Sequence, residues 1–532
     1  MKEVLFYQLI KGLSWVLFMI IINMVLSGCQ ESGDVRESGD YRNVIFIIGD
    51  DHTKSALSMN NHKLVKTPNL DRLASQGVSF SRAYCNSPIC SPSRQSMLTG
   101  KYPHATGVTL LFTPFQDSRN ETIAEHLSKN SFKTALVGKS HFNEWIWGPL
   151  YADTSPDFGF QTIIDRRDYR DHILEFQPTP IPDSIATMKL YTERNPESIW
   201  NTRFLPGDCY EKDCSGTYLT QRAIDFLEEN KDNRFLLWMA YHEPHQPFDF
   251  PVEYRNNIDP EQIVLPEGSP EDDRWVPELF KQFEPDQVKN AVSAYLTSVE
   301  YMDNNIGKIL TALENLGLDE NTLIVYTSDN GYLLYDHKRL EKHTMWEQAV
   351  SVPLIIKGRE ILAEQNDQLI SNIDLAPTVL NALGVPPLPE AQGRSFYPML
   401  RKENHEPREF VFSEYLEDNM AMITTRKWKY IFMTGKRDLG LEYATGFGAP
   451  GITHLLYDLE NDPGEAANVS GSDDNKEVLG VLQEKMLQEF MATHPDAVNA
   501  PTELSLIGKL VWFCEPRDVG AEHGGVPLRI SG

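Results

Sequence analysis

The chain is short of basic residues. It has 49 Lys and Arg against 76 Asp and Glu, a formal net charge of -27 over 532 residues. That deficit excludes nucleic acid or any other polyanion held by bulk attraction, because like charges repel at long range, and no nucleic-acid partner is expected. Cysteine is also scarce. Six in a chain of this length exclude a scaffold built from disulfides and let each be read individually. Two cysteine pairs, or cysteines joined by histidines at ligand spacing, do not occur, which argues against a zinc site. No long repeat and no low-complexity block interrupts the chain. What is present is ordinary globular composition, 41% hydrophobic and 23% charged, at a length beyond what one core usually fills. A large domain with a smaller one is expected.

The long apolar run at the front spans Leu13 to Leu26, broken by Ser14 and Asn23 and preceded by Lys2 and Lys11. It is too short for a comfortable membrane span and suits the core of a signal peptide. It ends in Leu26-Ser27-Gly28-Cys29, which looks like a bacterial lipobox, in which cleavage precedes Cys29 and the thiol carries lipid. The alternative is an uncleaved N-terminal anchor. Residues 30–42 are polar and read as a flexible tether. The expectation is an exported protein, lipid-anchored on the periplasmic or cell-surface side of a bacterial membrane.

Asn43 to Ile48 is apolar without alternation, as in a strand buried on both faces. It runs into Gly49-Asp50-Asp51. The same grammar recurs at Thr134–Val137 before Lys139 and His141, at Phe235–Ala240 before His242 and His245, and at Thr322–Tyr326 before Asp329 and Asn330. Helical spacing marks Pro68–Gln76, Thr122–Lys129, Tyr218–Glu229 and Asp286–Leu316. This alternation predicts a doubly wound α/β domain over 43–400, with a mostly parallel sheet flanked by helices and its chemistry at the carboxyl ends of the strands. From about residue 401 the pattern changes to strands in a row and then a helix, Lys476–Thr493. That predicts a smaller α+β subdomain over 401–532.

The sharpest motif is Cys90-Ser91-Pro92-Ser93-Arg94, followed by Leu98-Thr99-Gly100. Alone it fits a loop ahead of a helix, with Pro92 in the first turn and Ser93 near an N-cap. Its surroundings are Thr67–Ala74, Gly138-Lys139-Ser140-His141, His242-Glu243-Pro244-His245-Gln246-Pro247, Asp329-Asn330-Gly331, His337 through Lys342, Val352–Ile356 and Leu456–Glu465. Together, over about residues 42–495, they resemble the formylglycine-dependent sulfatases of the alkaline phosphatase superfamily, in that family's order.

The resemblance implies a set of roles. Cys90 is oxidised to formylglycine by a maturase before export, and the hydrated aldehyde is the nucleophile. One hydroxyl attacks sulfur, and the other expels sulfate by collapse, which a plain thiol cannot do. Asp50, Asp51, Asp329 and Asn330 supply hard oxygen ligands that suit Ca²⁺, with Mg²⁺ as the alternative. Asp329 is also a candidate to take the hydroxyl proton. Arg94 holds the formylglycine, and Lys139 and Lys342 contact sulfate oxygens. His245, with Lys342, protonates the leaving alcohol, and His141 acts as base in sulfate release. His52, His62, His104, His242 and His343 are read as structural or supporting residues, and His337 as a residue of the pocket edge. Cys209 and Cys214 are close enough for a local disulfide. Two departures from the common pattern, Ser140 and the run Tyr335–Arg339, are expected at the rim. Asn143, Glu144, Trp145 and the Asp165–Arg170 cluster are candidates to read the substrate. For that arginine cluster, a salt-bridged surface loop is the competing reading.

Three functions follow from these residues. The first is an exported sulfatase acting on sulfated carbohydrate. The second is a phosphonate monoester hydrolase or phosphodiesterase of the same superfamily. The third is a glycan-binding lipoprotein with an inert pocket, which the full set of polar pocket residues opposes. Rates on aryl sulfate, aryl phosphate and phosphonate esters separate the first two. The aryl sulfate is expected to be fastest, and a dominant phosphonate rate would overturn the first reading.

Overall fold

A computed structural model describes residues 40–116, 119–142, 157–188, 195–435 and 451–520, together with the short strands 522–523 and 526–527. Cys29, residues 30–39 of the tether, and Asn143, Glu144 and Trp145 lie outside the described residues.

The opening apolar run forms β1 (Asn43–Gly49), buried throughout. Its lack of alternation follows from packing on two sides. Val44, Phe46 and Ile48 enter one core, while Ile45 and Ile47 enter another on the opposite face. Successive strand side chains point to opposite faces, so a strand covered on both needs no polar positions. The sheet is completed by β2 (Val78–Tyr84), β3 (Lys133–Gly138), β4 (Thr162–Ile164), β5 (Phe235–Ala240), β6 (Thr322–Ser328), β7 (Leu354–Lys357) and β8 (Glu364–Ser371). Their order is β8-β2-β7-β6-β1-β5-β3-β4, with Ser351–Val352 paired beside β2. β6, β1, β5, β3 and β4 run parallel to one another in that order. β7 is antiparallel between β6 and β2, and β8 is parallel to β2.

Helices cover both faces. α1 (Pro68–Ser75), α2 (Cys90–Thr99), α3 (Ile123–Lys129), α4 (Arg166–Phe176), α5 (Ser215–Asn230), α6 (Pro285–Asn315) and α7 (Leu375–Ala382) follow in order. Leu70, Leu219, Leu227, Ile306 and Leu313 from α1, α5 and α6 fill one core. Met97, Leu98, Leu127, Val379 and Leu380 from α2, α3 and α7 fill the other. Local signals set the helix starts. The Thr122 side chain accepts from the Glu125 N–H at the start of α3, and α6 opens with Pro285 behind a Glu284–Gln287 capping box. β2 and β8 escape a periodicity reading because each mixes apolar and polar residues. β8 buries only its last three residues fully.

The C-terminal part forms a second sheet of β9 (Val411–Tyr415), β10 (Met420–Thr424), β11 (Trp428–Met433) and β12 (Thr453–Asp458), antiparallel in that order. α8 (Lys476–Thr493) and α9 (Leu506–Phe513) pack on one face, where Leu482, Met486, Phe490 and Phe513 meet Phe412, Ile423, Tyr430 and Phe432. The other face carries Tyr415, Met422, Ile431 and Leu455 into the core that also holds Phe46 and Met97. The small sheet is therefore built onto the large one through a shared core. Cys209 and Cys214 are joined by a disulfide, and Cys85, Cys90 and Cys514 are buried thiols.

A buried ion cluster fastens the second sheet to the segment after β6. Lys429 of β11 has no side-chain exposure, and its Nζ lies 3.0 Å from Glu347 and 2.9 Å from Glu465. It also donates to the Met345 carbonyl at 3.2 Å. Glu465, at the end of the Leu456–Glu465 motif, accepts from the Glu347 N–H at 2.6 Å. Removing one partner of such a cluster leaves uncompensated buried charge. Lys429→Met is expected to cost about 3–5 kcal/mol in denaturant unfolding. Adding Glu347→Gln and Glu465→Gln should recover most of it, and an unaltered midpoint in the single variant would refute the network.

Candidate active site

The anticipated polar residues converge at the carboxyl ends of four neighbouring strands. Asp50 and Asp51 follow β1, Lys139 and His141 follow β3, His245 follows β5, and Asp329 and Asn330 follow β6. Loops beyond parallel strand ends are where open α/β sheets place their chemistry. Cys90 is the first residue of α2, with Ile89 as N-cap, and all ten residues of that helix are buried. The motif therefore begins the helix and does not merely precede it. Pro92 falls in the first turn as expected. Ser93 is no N-cap, and its hydroxyl donates instead to the Asp329 carbonyl. Lys342 comes from the segment just after the short strand Leu340–Glu341.

The backbone here is held in unusual conformations. Asp51, His141, Glu341 and His343 have φ of 64°, 55°, 102° and 67°. Non-glycine residues occupy this left-handed region only where surrounding contacts over-determine it. At Gly138, with φ of 104°, a Cβ would lie 1.9 Å from the Ala240 carbonyl oxygen. Only glycine lets β3 turn toward Lys139 so close to β5.

Unlike charges surround the Cys90 sulfur. Lys342 Nζ is 2.9 Å and Lys139 Nζ 3.4 Å from Sγ, and Sγ is 3.7 Å from Asp50 Oδ1. Lys139 pairs with Asp50 Oδ2 at 2.5 Å, and Lys342 pairs with Asp51. Arg94 donates from Nε to Asp329 at 2.9 Å, from Nη1 to the Lys139 carbonyl at 3.0 Å, and lies 3.3 Å from Asp50. Burial works against the charge on Asp50, but Lys139, His245 and Arg94 outweigh it and hold the carboxyl at about 2. Burial also opposes the charge on Lys342, yet Asp51, Cys90 and Asp50 keep it an ammonium. Burial pushes the Cys90 thiol up to about 12 against the pull of both lysines. His245 Nδ1 donates to the Gln246 carbonyl at 2.7 Å, which leaves Nε2 facing Asp51 at 3.7 Å. Burial, then the nearby Lys139, Arg94 and Lys342, keeps His141 well below the usual histidine range and therefore neutral.

The donor set suits a divalent cation. Ligand atoms of Asp50, Asp51, Cys90 and His245 lie within 4.8 Å of one another. Asp51 Oδ2 and Asn330 Oδ1 are buried without a hydrogen-bond partner, although the Asn330 amide is anchored on Asp51 Oδ1 at 2.8 Å. Buried oxygens left unpaired beside acidic groups are what a hard cation satisfies. Asp329 sits apart from that cluster. Its oxygens accept from Arg94 and from the N–H groups of Asp51 and Asn330, at 3.0 and 2.9 Å for the latter two.

Several rim expectations change. His337 is buried, bonded to Asp272 at 2.9 Å and stacked on Trp346 at 4.1 Å. Arg339 is fully buried and paired with Glu341 at 3.0 Å, so neither residue lies on a rim. Burial pushes Glu341 up to about 8 despite Arg339. The Asp165–Arg170 cluster is a helix start, with Asp165 capping α4 and pairing with Arg167 at 2.7 Å. His52, His62, His104 and His343 are engaged with protein groups, His104 with Glu414 and His343 with Tyr415. His242 differs, with Nε2 buried and unpartnered. Sequence reading missed Ser93, Glu341 and Tyr295, whose hydroxyl donates to the Asp51 carbonyl at 2.7 Å. Ser93 and Glu341 lie inside quoted motifs that give no hint of their contacts with the Asp329 carbonyl and Arg339, while Tyr295 lies in no motif and meets Asp51 from far along the chain.

Comparison with known proteins finds matches over most of the chain. The family model described as Sulfatase matches residues 42–385. A second, described as N-sulphoglucosamine sulphohydrolase, C-terminal, matches residues 335–492. A Bacteroides thetaiotaomicron protein named N-acetylglucosamine-6-O-sulfatase is 26% identical over 92% of this chain and 93% of its own length. Among solved structures, a phosphonate monoester hydrolase from Silicibacter pomeroyi aligns with a TM-score of 0.70 at 22% identity, covering 86% of this chain and 97% of that one. A structure determined in complex with its substrate D-glucosamine-2-N,6-O-disulfate aligns with a TM-score of 0.66 at 22% identity, covering 87% and 100%. At such identity the structural likenesses speak for the fold.

The oxygen cluster generates a direct test. Purified protein is expected to carry a divalent ion by elemental analysis. Asp51→Asn and Asn330→Ala should each lose most of it, and full metal content in both would refute the site.

Proposed function

The chain belongs to the sulfatase family, and on that premise we propose that it hydrolyses O-sulfate esters of carbohydrates with a formylglycine made from Cys90. The observation that carries this reading is the convergence of Lys139 and Lys342 on one sulfur, at 3.4 and 2.9 Å. Two fixed cations flanking the nucleophile position suit a tetrahedral anionic ester, such as a sulfate monoester with its single negative charge, better than a neutral ester. A thiol held near 12 would be a poor nucleophile at neutral pH, which favours a modified Cys90. Formylglycine would supply a hydrated aldehyde, with one hydroxyl for attack on sulfur and another for release of sulfate.

The chain's own residues then divide the work. Lys139 and Lys342 orient the sulfate and balance its charge. His245 has Nδ1 on the Gln246 carbonyl and Nε2 facing the cluster, so it must enter the step as the imidazolium; Nε2–H then delivers its proton to the departing alcohol oxygen, with Lys342 donating beside it. His141, neutral in its buried position, accepts the proton that must leave when sulfate is released. Arg94 braces the Cys90 turn against Asp329 and Asp50. Asp50, Asp51 and Asn330 would hold the metal, with Asp329 beside them. All donors but the His245 nitrogen and the Cys90 position are oxygens, which favours Ca²⁺ over softer ions. The ion would supply fixed positive charge against which negative charge develops as the ester bond breaks.

The carbohydrate substrate is supported by the names of the relatives. Export through a cleaved leader, lipidation at Cys29 and conversion by a maturase complete the proposal, and the lipobox and the Cys90 motif support them.

Cys90→Ala is expected to abolish sulfate release from a panel of defined sulfated mono- and disaccharides while leaving the thermal midpoint unchanged. Lys342→Ala should slow the best substrate about a hundredfold or more. Full activity in the alanine variant of Cys90 would remove the proposed nucleophile. Cleavage of aryl sulfates alone would remove the carbohydrate.

A further inference from the structure

A carboxylate near the C-terminus reaches the segments that carry two of these groups. Asp518 is 6% exposed and lies beyond residue 492, where the matched family segments end. The chain arrives there from α9, whose following residue Cys514 gives its carbonyl to Asn419 Nδ2 at 2.7 Å. Asp518 then accepts four hydrogen bonds from a single loop. The Thr109 and Leu110 N–H groups donate to Oδ2 at 2.7 and 3.0 Å, and the Thr109 and Thr113 hydroxyls donate to Oδ1 and Oδ2. A buried carboxylate is tolerated only when its lone pairs are satisfied in this way. Glu417 adds a further brace by accepting from the Leu111 N–H at 2.5 Å.

The far side of that loop touches the site twice. The Leu111 carbonyl accepts from Ser91 Oγ at 2.7 Å, one residue from Cys90. The Phe115 N–H donates to the Phe142 carbonyl at 3.0 Å, one residue from His141, and Gln95 of α2 donates to the same carbonyl at 3.2 Å. His141 depends on such bracing. Its φ is 55°, a conformation that must be imposed, and its Nδ1 has no hydrogen-bond partner to orient the ring. Its backbone is therefore what aims it.

We propose that Asp518 is a positioning residue for sulfate ester hydrolysis, clasping residues 109–113 so that the backbone carrying Cys90 and His141 is held in register. The inference rests on the reading of Cys90 and His141 given above. A misplacement of about 1 Å at a reacting group can cost about a hundredfold, so a clasp at this remove has room to act on rate.

The test compares wild type with Asp518→Asn and with the milder Thr113→Val, on 4-nitrophenyl sulfate well below the thermal midpoint, with rates normalised to the aldehyde content at residue 90. The expected result is a fall in kcat of about tenfold or more for Asp518→Asn, with KM little changed. Amide exchange should rise in both 107–116 and 139–142, and the double variant should lose less than the product of the two singles. A lower thermal midpoint with unchanged kcat per folded molecule would make Asp518 a structural residue only and overturn the proposal, as would unchanged exchange at 139–142. If wild type itself lacked aldehyde and turnover, the reading of Cys90 would fail, and the exchange coupling between the two segments would still decide the clasp.

Discussion

Everything at the site depends on buried charges that exist only in pairs. Arg94, Lys139 and Lys342 face Asp50, Asp51 and Asp329 at the carboxyl edge of the sheet, with no side chain more than 5% exposed. Each charge alone would cost several kcal/mol to bury. Together they make a field that is fixed before any substrate arrives, which is the condition under which charge stabilises a transition state most. The net charge of -27 says nothing of this field. The acids that make the whole chain repel polyanions include those that pair with Arg94, Lys139 and Lys342 in this one cluster.

Much of this was legible in the sequence because it is local. β1 reads as buried on both faces from six residues, and Asp50 and Asp51 follow at its end. Cys90 and Arg94 lie four apart, and in α2 that spacing puts both on one side of the first turns. The same holds for Lys139 with His141, which share one strand-end loop. What could not be read is contact between distant segments. The Asp165–Arg170 cluster is salt-bridged at the surface as its competing reading has it, but it starts a helix and is not a loop, because a capping box and a surface ion pair share the same residue types. His337 and Arg339 belong to a run that departs from the common pattern and was expected at the rim, but Trp346 stacking and the Glu341 pair draw them inside. Lys429, Glu417 and Asp518 carry no motif of their own. Their partners lie tens to hundreds of residues away, and only the fold brings them together.

Those three residues share a logic. The two lysines reach the Cys90 sulfur from separate segments, Lys139 after β3 and Lys342 after β6. Neither mount is a regular element. One contains His141 at φ 55°, and the other contains Tyr335, His337, Lys338, Glu341 and His343, all at positive φ. Backbone in that state relaxes unless neighbours forbid it. For the Lys342 segment the neighbours are Tyr415, Lys429, Tyr457 and Glu465, which bind His343, Met345, Trp346 and Glu347. For the His141 segment they are Phe115 and Gln95, with Asp518 and Glu417 behind them.

The second sheet and the tail are thus the outer wall against which both strained segments are pressed, and this explains why the small sheet shares a core with the large one. A subdomain joined by a polar seam could shift by an ångström at little cost, and the lysines would shift with it. A sheet whose inner face carries Tyr415, Met422 and Ile431 into the packing around Phe46 and Met97 cannot slide without opening voids in a close-packed interior. The precision of the charge cluster is therefore inherited from apolar packing on its far side. The polar site fixes what the chemistry is, and the shared core fixes where it happens.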